Sequence, residues 1–187
     1  MKKLVLCALA GALVAHIWGI VSWTALPWHF SHFKEFGNDR VVADALTTEV
    51  GEAGIYMVPN FGPDVHKEGP AMELFHTLME EGPYAYMVVL PDGIVPNMPI
   101  MMLKGFLLNL LFAFTLYWLL SQTKITEDKN KILFIAVAGT LGALHPLLSY
   151  SNWWFFPIGT ALIGIADYTI MWTLAGVTMV KLNNKLS

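Results

Sequence analysis

The chain has 187 residues, 56% hydrophobic and only 13% charged, with a formal net charge of −3 and a mean hydropathy of +0.55. A soluble domain is normally about a quarter charged, so this composition argues against an ordinary globular enzyme and points to a bilayer. The acids concentrate in residues 27–97, which excludes nucleic acid or anionic headgroups as partners there.

A helix rising about 1.5 Å per residue needs about 20 apolar residues to cross roughly 30 Å of hydrocarbon. Residues 4–26 form the first such run, interrupted only by His16, Ser22 and Thr24. Lys2 and Lys3 ahead of it would suit a signal peptide. The run nevertheless continues past Ala15 through Trp23, longer than the usual core of a cleaved leader, so a retained anchor is expected. Gly11, Ala15 and Gly19 recur every four residues along it, a smooth face that lets a second helix approach closely. Ala138-Gly142 and Gly139-Ala143 give residues 132–150 a similar face. The lone Cys7 falls near the inner end of the first run, and residues 27–97 contain no cysteine, so no disulfide holds them together.

Residues 27–97 hold 7 of the 10 prolines and read as short elements between turns. Val42, Ala45, Leu46 and Val50 have helical spacing over 39–50. Residues 54–59 and 83–91 read as strands. Between them, residues 69–82 predict a helix with Pro70 at its start and Gly82 as its stop. A strand–helix–strand unit of this kind is expected to be parallel and right-handed. Two short strands are marginal alone, and about 70 residues bury only a modest core.

Three further apolar runs follow, at 98–121, 132–150 and 158–180, joined by a short loop at 122–131 and a hairpin turn at 151–157; residues 181–187 form a tail. In that turn Trp153 and Trp154 suit the headgroup level. His145-Pro146 predicts a kink or partial unwinding near the outer end of the third run. The predicted fold is therefore an all-α integral membrane protein: a four-transmembrane-helix bundle with a small α+β extracytoplasmic cap between helices 1 and 2.

Charge sets the expected orientation. Seven lysines flank the proposed inner ends against Glu127 and Asp128, a net +5, whereas residues 27–97 carry 11 acids against three bases, a net −8. Lysine gathers in short cytoplasmic loops. Both termini are therefore expected in the cytoplasm of a bacterium, with residues 27–97 periplasmic and the helices in the inner membrane.

Ionisable residues inside a bilayer carry a functional expectation by default. Counted along their helices, His16, His145 and Asp167 lie about 18, 20 and 15 Å from the inner surface, similar enough to make Asp167 with His145 or His16 a candidate mid-membrane pair. Such a pair could be a proton relay or a metal site, or the two histidines could be axial haem ligands. A structural hydrogen bond between helices is the preferred alternative. His29 and His32, three residues apart among Trp28, Phe30 and Phe33, could contribute to an interfacial metal site with His66, His76 or a carboxylate. The preferred alternative there is an aromatic interfacial segment. The scattered methionines show no repeated thioether motif for copper.

The sequence names no cofactor. It contains no Gly-rich phosphate loop, G-x-S-x-G elbow, H-E-x-x-H or C-x-x-C. The leading functional expectation is a non-catalytic accessory or scaffold subunit whose partners are the lipid bilayer and other membrane proteins or a second copy. One alternative is a membrane-embedded enzyme or cofactor- or metal-binding protein using Asp167, His145 and His16. Another is a small oligomeric transporter, weakened because no inverted repeat is evident.

Overall fold

The computed structural model describes residues 2–60, 62 and 67–186. The chain divides into a helical unit, residues 1–34 with 96–187, and a smaller unit, residues 35–95.

The helical unit contains α1 (Lys2–Ala25), a 3-10 turn (Phe30–His32), α4 (Met98–Ser121), α5 (Asp128–Trp153) and α6 (Ile158–Lys185). All four long helices are long and apolar enough to span a membrane. Asn97 caps α4 by accepting from the Ile100 amide at 3.2 Å, with Pro99 in the first turn, where a missing N–H does no harm. α6 packs on both α1 and α5, and α1 also packs on α4. Small residues set how closely they meet. A Cβ on Gly139 would collide with Trp172 Cγ, and one on Gly11 would stand 2.7 Å from Met179. Trp172 and Met179 consequently lie fully buried beside Ile135, Ala175 and Val180.

α5 is longer than the predicted third run at both ends. It starts at Asp128, whose charge favours a helix N-terminus, and continues to Trp153, so the turn shrinks to residues 154–157. Of the kink or partial unwinding expected at His145-Pro146, the unwinding is not found: helix continues through Pro146, leaving the Gly142 carbonyl without its usual amide donor. Phe155 closes the helix with a φ of 58°, and Trp153 is 72% exposed.

The smaller unit contains α2 (Asp39–Glu49), β1 (Gly54–Val58), α3 (Pro70–Glu81) and β2 (Ala85–Val89). Asn38 caps α2, accepting from the amides of Arg40 and Val41. Pro70 and Gly82 bound α3 as their chemistry requires, Gly82 with a φ of 66°. The strands pair antiparallel, Gly54 opposite Val89 and Val58 opposite Ala85, which corrects the parallel expectation. That expectation treats the helix as the only leg of the connection. Here the connection returns the chain to the end of β1 that it left, Ala85 standing opposite Val58.

Candidate functional site

The polar centre of the helical unit forms where α1 meets α6. On α1, Gly11, Ala15, Trp18 and Ser22 fall on one face, at the three- and four-residue spacing that stacks side chains along a helix. After Ala25 the chain turns at Pro27, whose carbonyl accepts from the Ser31 amide at 3.1 Å. This turn folds Trp28 and His29 back over the last turns of α1.

Asp167 of α6, 9% exposed, is held from this side. Its Oδ1 accepts from Trp18 Nε1 and from Ser22 Oγ, both at 2.7 Å. Ser22 is fully buried. Its Oγ accepts from Trp28 Nε1 at 3.1 Å and stands 2.9 Å from His29 Nε2. A hydroxyl has one proton. That proton lies on the bond to Asp167 Oδ1, so Ser22 accepts from an Nε2–H on His29. Trp23 stacks on the His29 imidazole with centroids 4.0 Å apart and planes 2° from parallel, and Trp28 meets it edge-on.

One carboxylate oxygen is left over. Asp167 Oδ2 lies 3.5 Å from His29 Nε2, outside the usual N–H···O range of about 2.7–3.2 Å. Among the described residues no hydrogen bond reaches it. Asp167 borders a cavity of about 580 Å³ within the helical unit, whose wall includes Gly19, Trp23, His29, His32 and Tyr168. No lysine or arginine is among its described lining residues. His32 lies against the first turn of α6, where a Cβ on Gly159 would come within 2.5 Å of its Cε1.

The arrangement is not a nucleophile triad. Ser22 points its proton at the carboxylate and has no exposed surface for a substrate carbonyl, whereas a triad places histidine between acid and hydroxyl. Among the described residues no three His, Cys, Asp or Glu side chains converge as metal ligands. His29 faces Ser22 and Asp167, His32 faces Gly159, and His76 packs edge-on against Phe75 in α3. His66 lies outside the described residues.

No family model matches this chain, and no curated protein or solved structure is significantly similar to it.

Of the three residues expected at mid-membrane, Asp167 is the centre of the network and the two histidines stand outside it. His16 is two residues before Trp18. At about 100° per residue it points away from α6, and it meets Phe106 of α4 edge-on, ring centroids 5.7 Å apart. His145 is two residues from both Ala143, which is buried, and Leu147, which lines the cavity. The same rotation leaves it exposed on α5. Trp18, Ser22 and Trp28 were absent from the expected set. The signal for the first two was present, because they extend the small-residue face of α1.

Proposed function

We propose that this chain is an integral protein of a bacterial inner membrane, with both termini cytoplasmic and residues 27–97 periplasmic. We propose that it acts as a non-catalytic accessory subunit of a membrane complex. The charge bias between the helix-flanking loops and residues 27–97 supports the orientation. Leu103, Leu107, Leu108 and Leu111 of α4, each more than half exposed, support contact with lipid.

The observation that carries the accessory reading is the thin core of residues 35–95. Among their described residues only Val50, Pro59 and Val89 are buried, while Phe36, Val41, Ile55, Val88, Ile94 and Val95 are 62–95% exposed. Ile55 and Val88 face each other across the strand pair and form an apolar patch. Such a patch on a unit this small marks a contact surface. Purification in mild detergent is expected to recover a stoichiometric partner, either a second copy or another membrane protein, and Ile55→Asp with Val88→Asp is expected to release it. A lone monomer before and after the substitutions overturns the reading.

A second reading, an embedded binding protein, is favoured by the unbonded Asp167 oxygen at the wall of a cavity large enough for a small molecule.

A further inference from the structure

We propose that the cavity between α1, the 27–33 segment and α6 binds a hydrophobic molecule bearing a protonated amine, with Asp167 Oδ2 as its anchor. The inference rests on the embedded-binding reading and adds the ligand's charge.

Three observations select this chemistry. The first is the carboxylate itself. Its Oδ1 is saturated by Trp18 and Ser22, and its Oδ2 accepts no hydrogen bond among the described residues, its near neighbour His29 Nε2 standing 3.5 Å away. A nearly buried carboxylate needs a partner for its charge, and the described wall supplies no lysine or arginine. His29 Nε2 stands within ion-pair distance of Oδ2, at 3.5 Å, but directs its hydrogen at Ser22, the nearer acceptor at 2.9 Å, so a hydrogen-bond position on Oδ2 stays open. That open position is where a ligand's donor would bind.

The second observation is the aromatic wall. Trp23, Phe33, Phe156 and Tyr168 border the same cavity, and aromatic faces attract an ammonium group while also covering an apolar tail. A carboxylate ligand would meet the wrong sign of charge at Oδ2.

The third is Gly19. It lines the cavity, yet a Cβ there would meet nothing within 4 Å. Its smallness serves empty space and no neighbouring helix. The volume of about 580 Å³ is in the range of known small-ligand sites. The ammonium could belong to a free alkylamine or to the headgroup of an aminophospholipid, which share this chemistry.

Native mass spectrometry of the detergent-solubilised protein tests the proposal with dodecylamine, dodecanol and dodecanoate as matched probes. Dodecylamine is protonated at neutral pH, as lysine is. One dodecylamine is expected per chain, at least about tenfold tighter than dodecanol, the ratio of a charge-assisted hydrogen bond to a neutral one. Dodecanoate is expected not to bind. Asp167→Asn is expected to abolish the preference for the amine. Gly19→Leu, which projects a side chain into the open space of the cavity, is expected to weaken binding of dodecylamine and dodecanol while the protein remains monodisperse. His145→Ala, outside the cavity, is expected to change nothing. Lysophosphatidylethanolamine in place of dodecylamine separates the two ammonium sources: binding only the lipid assigns a headgroup site, and binding both assigns a general amine site. Equal affinity for amine and alcohol overturns the charge assignment while the embedded-binding reading stands. Failure of every probe overturns both.

Discussion

Gly11 and Gly19 lie on the same small-residue stripe of α1, two turns apart, and meet opposite surroundings. A side chain on Gly11 would run into Met179, whereas one on Gly19 would enter open space. The α5–α6 seam repeats the first case more severely, with Trp172 pressed against Gly139. A small residue in a helix bundle can therefore serve contact or vacancy, and its spacing alone does not distinguish them. The polar network sits at the vacant end, where Trp18 and Ser22 continue the stripe toward Asp167.

Substitutions separate the two cases. The largest effect is expected at the tight seam. Gly139→Ala should destabilise the helical unit by about 3 kcal/mol, the upper part of the range for overpacked cores, because the added methyl overlaps the buried Trp172 side chain at Cβ, Cγ and Cδ1. Most of this loss should vanish when Trp172 is also truncated, since contacting residues are not additive. Denaturant titration of the single and double variants measures both; an additive pair breaks the comparison.

A middle effect is expected at the network. Ser22→Ala removes the acceptor of Trp28 and His29 and one donor of Asp167, and buried polar groups left unpaired cost about 1–3 kcal/mol. The same titration reads the loss, with near-ultraviolet circular dichroism following the released tryptophans. A neutral Ser22→Ala would mean the hydroxyl is not the hub described here.

The smallest effect, opposite in sign, is expected at the vacancy. Gly19→Ala adds a methyl to open space and replaces a poor helix former with the best, so stability should rise by up to about 1 kcal/mol. A destabilised Gly19→Ala would show that a helix packs there after all and would remove the cavity.

Much of this architecture is legible in the sequence. The four long helices follow from runs of apolar residues, Pro70 and Gly82 mark the ends of α3, and Asp167 stood out as the one acid within its run. The strand pair was legible as two strands but not as antiparallel, because register depends on where the connection returns the chain. Residue counting locates a side chain along its helix and not around it. His16 and Trp18 differ by about 3 Å along α1, so residue counting cannot tell which of them meets Asp167. The face formed by Gly11, Ala15, Trp18 and Ser22 carried that information, but its last two members look like ordinary parts of an apolar run.

The sequence by itself determined how many helices there are, about where they end, and how far along each axis a polar residue lies. Those quantities depend on apolar length and a constant rise per residue. Tertiary structure decided the rotation of each helix about its own axis, which is set by packing against neighbours. That rotation turns His16 toward Phe106, leaves His145 exposed, brings the folded-back His29 beside Asp167, and makes one glycine a contact and the other the wall of a cavity.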